Sequence, residues 1–185
     1  AVKNPMLLVD AFIALAQSSN RGAERIRLAM VGEGPLAVQV AQRMQQAGLH
    51  DRLWLPGVRA DTPELFRAID CFVLPSLFEA TSCTLQEAMA TGLEIVVTDV
   101  GGNADLLENG RCGSLVPSEN VAAMAGAIQS HFARSTPTRQ TTNAVEAINR
   151  RYGLTSVIDR YRCLFRGLPN HESAMATAKQ MSSGK

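Results

Sequence analysis

The chain has 185 residues, a net charge of +1, 46% hydrophobic and 19% charged residues, which is the composition of one globular domain with enough chain to bury a core. So even a charge balance leaves no electrostatic footprint for nucleic acid, and aromatic residues at 5% are too sparse for a base-stacking surface. No apolar run approaches the roughly 20 residues of a membrane-spanning helix, and Cys71, Cys83, Cys112 and Cys163 show no paired spacing, as expected of reduced cytoplasmic thiols.

Asn4-Pro5 reads as an N-cap with proline at the first helical position, opening a helix to about Gln17. Ile26–Val31 is a short continuous apolar run ending at Gly32, which suits a buried parallel strand. A helix from Pro35 to Ala47 ends at Gly48, Arg52–Leu55 is a second strand, and Thr62–Ala68 is a short helix. Cys71–Leu74 is a third strand, followed by a helix from about Ser82 and a strand at Ile95–Thr98. Asn103–Glu108 reads as a short helix, Ser114–Val116 as a last strand, and Ser118 as the cap of a helix reaching about Phe132. Two further helices occupy about Arg139–Arg151 and Thr155–Phe165.

Short strands alternating with helices predict an α/β fold: a Rossmann-like parallel sheet with helices on both faces. Ligands of such folds bind beyond the carboxyl ends of the strands. Residues 1–168 are expected to form this domain. Pro169–Lys185, without apolar periodicity and rich in Ser, Ala and Lys, is expected to be a disordered tail.

The most informative stretch is Leu74–Gly102, LPSLFEATSCTLQEAMATGLEIVVTDVGG. It reads as a buried strand, a polar loop, a helix start near Ser82 and a second apolar strand closed by a glycine pair. A helix start leaves backbone N–H groups unpaired at the positive end of a dipole, which together favour phosphate. Glu79 lies just outside that start and Glu87 inside it, with seven residues between them. At about 1.5 Å of rise per residue, Glu87 stands roughly 7–8 Å along the axis from Ser82. A diphosphate on the N–H groups of Thr81, Ser82 and Cys83 then has one carboxylate towards each end. That layout suits a nucleotide sugar.

These residues resemble the retaining glycosyltransferases with a Glu-x7-Glu motif, the glycosyl transferases group 1 family. The matching segments are PSLFEATSCTLQEAMATG, IVVTDVGG and GRCGSLVPSENVAAMA, with KNPMLLVDAF and LAMVGEGP upstream, spanning about Val2 to about Leu164. Within the family, TLQEAMATGL and GGNADLLENG look most like exopolysaccharide-type enzymes. The resemblance implies one half of a GT-B enzyme of two Rossmann-like domains. It would be the donor-binding half, without its first strand and without the N-terminal acceptor domain. A chain that opens AVKNP and enters a helix at once fits such an excised piece.

The implied reaction moves a hexose from a nucleoside diphosphate sugar to a hydroxyl acceptor with retention, in polysaccharide biosynthesis. The nucleotide sugar is then the donor substrate, with no further cofactor and no metal. The missing domain is the implied partner, and this piece alone is expected to be inactive. The expected location is the cytoplasm or the inner face of the membrane. Lys3 matches the family's lysine that neutralises donor phosphates. Glu79 would orient hydroxyls of the donor sugar and Glu87 would accept hydrogen bonds from the ribose. The arginine that partners Lys3 in the family falls before Ala1. Three departures stand out: Ala80 where the family has glycine, Ser82 where it often has a second, and Glu94 where it has proline. Ala80 resists the positive φ that glycine allows.

Other residues carry two readings each. Gly32 and Gly34, in GEGPLA, formally match the dinucleotide fingerprint G-x-G-x-x-A. They either line a sugar-nucleotide cleft or make a tight turn into a helix. The next strand ends in PGVR rather than in the acidic residue that holds NAD. Arg59 could pack on a nucleobase or reach phosphate, or serve an NADP-linked oxidoreductase module. A non-catalytic nucleotide-binding domain is the other alternative. Arg150, Arg151, Arg160, Arg162 and Arg166 concentrate charge late in the chain, a solvated face or one turned to an anionic membrane or the missing domain. His50, His131 and His171 have no carboxylate at ligand spacing, so no metal site is expected.

Overall fold

A computed structural model describes residues 2–18, 22–133 and 139–166. The expectation for Pro169–Lys185 falls outside the described residues. The chain divides into two compact units, Ala1–Val145 and Glu146–Lys185.

The first unit holds every described strand, in two parallel sheets. One pairs β1 (Leu28–Val31) with β2 (Leu53–Gly57), and the other has the order β3 (Cys71–Leu74), β4 (Glu94–Thr98), β5 (Ser114–Val116). In the larger sheet Cys71 faces Glu94, Leu74 faces Val97, and Thr98 faces Val116. β4 is the central strand, so Ile95, Val96, Val97 and Thr98 are all buried. A continuous apolar run rather than an alternating one is the sequence consequence of cover on both faces.

Helices α2 (Ala37–Gln46), α3 (Thr62–Ala68), α4 (Cys83–Thr91) and α5 (Asn103–Leu106) connect successive strands, while α1 (Pro5–Ala16) precedes β1 and α6 (Val121–Phe132) follows β5. α1 packs against both α6 and α2. That two-sided contact explains why Leu7, Leu8, Val9, Ala11, Phe12 and Ile13 are buried almost without interruption. Val96 and Val116 from the larger sheet and Leu28 from the smaller one join the same core cluster. Helix α7 (Arg139–Tyr152) crosses the boundary between the units, and α8 (Leu154–Phe165) lies in the second unit. Gly153, between them, is required by close approach: an added Cβ would lie 2.4 Å from the Asn149 carbonyl oxygen.

The alternation of elements matches the sequence reading, and α3, β3 and β5 have the expected bounds. The first helix has Asn4 as its N-cap, but Asn4 is left-handed (φ 42°) and its side chain makes no capping bond. The second helix starts at Ala37 rather than Pro35, because Pro35 and Leu36 form a turn in which Ala37 N–H donates to Gly34 O at 3.1 Å. The cap of α6 is Asn120, not Ser118: Asn120 Oδ1 accepts from Ala123 N–H at 2.9 Å. Glu119 ahead of it takes a positive φ of 59°, which turns the chain before the helix can begin.

Candidate functional site

The site is built where the loops leaving β3 and β4 meet. Glu79, in the β3–α4 loop, is only 7% exposed. Its Oε1 accepts from Ser76 Oγ at 2.7 Å and from Lys3 Nζ at 2.6 Å. Lys3 reaches it from the segment before α1, where Leu77 N–H also donates to the Val2 carbonyl at 2.8 Å. The structure therefore brings together two residues to which the family resemblance gives different parts of one ligand, the sugar and the phosphates.

The glycine pair after β4 serves close packing as well as turning. Gly101 has φ +54°, and a Cβ there would stand 1.7 Å from the Glu79 carbonyl oxygen. A Cβ on Gly102 would stand 2.3 Å from the Ala80 carbonyl oxygen, and Gly102 N–H donates to Glu79 O at 3.0 Å. The two loops are in direct backbone contact, and only glycine fits. Ala80 is not among the residues with positive φ, so its methyl group meets no backbone strain in this loop.

α4 begins at Cys83, capped by Ser82, whose Oγ accepts from Leu85 N–H at 3.2 Å and bonds Thr84 Oγ1 at 3.0 Å. Ser82 is thus buried by its capping role, which explains a serine here instead of glycine. The N–H groups of Cys83 and Thr84 have no intrahelical acceptor, as in any first turn. Thr81 and Cys83 are exposed, Cys83 as a free thiol.

Glu87 is exposed one turn into α4. With Ala90 and Thr91 it lines a groove of about 300 Å³ whose other wall is Thr62, Pro63 and Phe66 on α3. Arg59 and Asp61 lie between β2 and α3 and hold each other. Arg59 Nε and Nη2 donate to the two Asp61 carboxylate oxygens at 2.8 and 2.6 Å. That bidentate bond raises Arg59 and lowers Asp61 from their ordinary values. The Arg59 guanidinium also lies 6.0 Å from the Trp54 ring centroid, within cation–π range. Gly32 ends β1 with φ +121° and donates its N–H to Gly57 O at 2.8 Å. An irregularity in the pairing between Ala29 and Val31 sets Val31, rather than Gly32, opposite Gly57. Cβ atoms on Gly32 and Gly34 would both meet open space.

Glu94 has a partner that the sequence did not reveal. Its Oε2 lies 2.7 Å from Nδ1 of the buried His131 on α6. It is the first residue of β4, at the strand end opposite Thr98, so this departure from the family pattern lies away from the rim. Sequence reasoning also passed over Ser76, Thr98 and Asn103, all 0% exposed. The Pro75-Ser76 pair ahead of the glutamate was the available signal for Ser76. Among the described residues no group of three or more His, Cys, Asp or Glu could hold a metal, and no helix is long and apolar enough to cross a membrane.

The family model for glycosyl transferases group 1 matches residues 1–133. The lipopolysaccharide core biosynthesis mannosyltransferase LpsB of Rhizobium meliloti (strain 1021) is 36% identical over 91 residues, 48% of this chain and 26% of that protein. An Escherichia coli UDP-Gal:alpha-D-GlcNAc-diphosphoundecaprenol alpha-1,3-galactosyltransferase is 32% identical over 127 residues, 68% of this chain and 32% of that protein. In the fold, Anabaena HepE in complex with UDP superposes with a TM-score of 0.78 at 23% identity, over 90% of this chain and 46% of that one. The chain thus spans about a third or less of these curated relatives and about half of the solved protein. Both curated relatives are named as sugar transferases, and the NADP reading is not favoured. With 133 matched residues running from α1 through the Glu79 loop to α6, the chain belongs to the glycosyl transferases group 1 family.

Proposed function

We propose that this chain is the donor-binding half of a retaining hexosyltransferase that moves a sugar from a nucleoside diphosphate sugar to a hydroxyl acceptor. One observation carries the reading: a buried carboxylate, Glu79, meets a lysine just ahead of a capped helix start. A carboxylate for sugar hydroxyls and a cation for phosphate are then adjacent, as a donor molecule requires. HepE, the fold neighbour, was solved with UDP and also with UDP-glucose, which supports a nucleotide sugar as the ligand class.

The hard step is departure of the nucleoside diphosphate, which gathers negative charge. Fixed dipoles and cations aimed at that charge stabilise it without reorganising. Here the N–H groups of Thr81, Ser82 and Cys83, at the positive end of α4, face the diphosphate together with Lys3. Glu79 accepts hydrogen bonds from the sugar and Glu87 from the ribose, and neither acts as nucleophile. Gly32 and Gly34 leave open space at the exit of β1 for the nucleotide. Arg59 is already engaged by Asp61, so it offers the base a flat guanidinium face and is not a free cation for phosphate.

The shares of its relatives that the chain covers support a second, acceptor-binding domain as its partner. Cytoplasmic location and contact of the arginine-rich helices with an anionic membrane complete the proposal. A thermal-shift panel of UDP, GDP, ADP and NADP tests it. One nucleoside diphosphate should raise the melting temperature, and a response to NADP alone would overturn it.

A further inference from the structure

We propose that Ser76 is a positioning residue for Glu79: its hydroxyl holds Oε1, so that Oε2 is the oxygen offered to the donor sugar. The inference rests on the donor-binding reading above. Ser76 is 0% exposed and sits 2.7 Å from Glu79 Oε1. The other donor to the same oxygen, Lys3, has a side chain 64% exposed. Among the described residues no donor reaches Oε2. An exposed lysine can turn to an arriving diphosphate, whereas a fully buried serine has nowhere to go. Ser76 is therefore the contact that persists when the ligand is bound.

The serine is itself fixed from behind. Thr98 Oγ1 donates to the Ser76 carbonyl at 2.6 Å, and Asn103 Nδ2 donates to the Thr98 carbonyl at 3.0 Å. Gly102 N–H holds the Glu79 carbonyl at 3.0 Å. The carboxylate of Glu79 is thus tied to the buried Ser76 and its backbone to the half-buried Gly102, at the exits of β3 and β4. Hydrogen bonds in such a low-dielectric network are stronger than in water. The terminal torsion of a glutamate is otherwise broad. With Oε1 held, that torsion is set before the ligand arrives, and a sugar hydroxyl meets a fixed acceptor. The plainer account, that Ser76 merely satisfies its own hydroxyl, predicts no effect on ligand discrimination.

Ser76→Ala, Ser76→Thr and Ser76→Val in the 185-residue chain separate the two. Thr and Val have the same shape and differ in the hydroxyl. Calorimetry with UDP, UDP-glucose, GDP and GDP-mannose should show that Ser76→Ala and Ser76→Val weaken the sugar conjugate about tenfold. Bare diphosphate should hold within about twofold, and Ser76→Thr should retain wild-type discrimination. Equal losses for conjugate and diphosphate, or no loss, or Val matching Thr, would overturn the proposal. The Glu79 carboxyl carbon signal gives a second readout that needs no ligand. It should move in the Ala and Val variants and stay in the Thr variant, and a signal unmoved in all three sinks the inference. If wild type binds no nucleotide sugar while that signal does move, the donor-binding reading fails and the positioning role stands.

Discussion

Lys3 Nζ and Glu79 Oε1 lie 2.6 Å apart although they stand 76 positions apart in the chain. The contact joins the segment before the first helix to the loop after β3. Its two halves differ in solvent access: the lysine side chain is 64% exposed and the glutamate side chain 9%. Water therefore competes strongly for the lysine and weakly for the glutamate, and the pair opens from the lysine side.

Lys3→Met should accordingly weaken binding of a bare nucleoside diphosphate by about three- to tenfold, an effect that shrinks as salt rises. Glu79→Gln should spare bare diphosphate and weaken the sugar conjugate by about ten- to a hundredfold. Glu87→Ala should weaken both. Calorimetry at two salt concentrations measures all three. Equal effects of the two glutamate variants on bare diphosphate would remove their separate roles.

Gly101→Ala should unfold the rim. The added Cβ meets Glu79 O at 1.7 Å in a left-handed backbone, costing about 2–4 kcal/mol of stability. Gly34→Ala is the control, since its Cβ enters open space and its φ is not positive. Urea unfolding of the two variants is the comparison, and a Gly101→Ala protein as stable as the control would contradict the packing described.

Glu94→Gln should cost about 1–3 kcal/mol, because the buried His131 loses its charged neighbour at 2.7 Å. Nucleotide affinity should stay unchanged, as Glu94 begins the strand that Thr98 ends. Denaturant midpoints and calorimetry on the same variant separate the two effects.

Burial, with Glu94 and Asp70 nearby, pushes the Cys71 thiol up to about 12. The folded chain then keeps this proton at a pH where the unfolded chain, near 9.0, gives it up. The neutral thiol stabilises the fold fully below the unfolded value, and this contribution is lost as pH rises towards the folded one. Stability should therefore fall above about pH 9, less steeply in Cys71→Ala. At pH 8 an alkylating reagent should label the exposed Cys83 and leave Cys71 unmodified until the protein unfolds. Early labelling of Cys71 in the folded protein would contradict the protection expected of a half-buried thiol whose value is raised.

The elements that the sequence revealed are those whose local signals agree with their surroundings. β3, with an apolar run from Cys71 to Leu74, and α3, with proline at its start, needed only neighbouring residues to be read. The helix start near Ser82 was legible for the same reason, its capping bond to Leu85 N–H only in the structure. Asn120 displaced Ser118 because the left-handed Glu119 between them bends the chain, and no propensity marks a glutamate for that. What stayed hidden were partners distant in sequence: Lys3 for Glu79, His131 for Glu94, and Thr98 behind Ser76. His131 has no carboxylate nearby in sequence, yet it has one in space. The positive φ that Ala80 was expected to resist is not one this loop adopts.

The backbone bond from Gly102 N–H to Glu79 O, at 3.0 Å with no side chain between the loops, makes that amide a built-in reporter. Neither loop can lift without breaking or carrying the other, so the two loops travel as one hinge-plate. A single backbone resonance, far easier to follow than a carboxylate, would then register any ligand that shifts Glu79, including ligands whose identity is not known in advance.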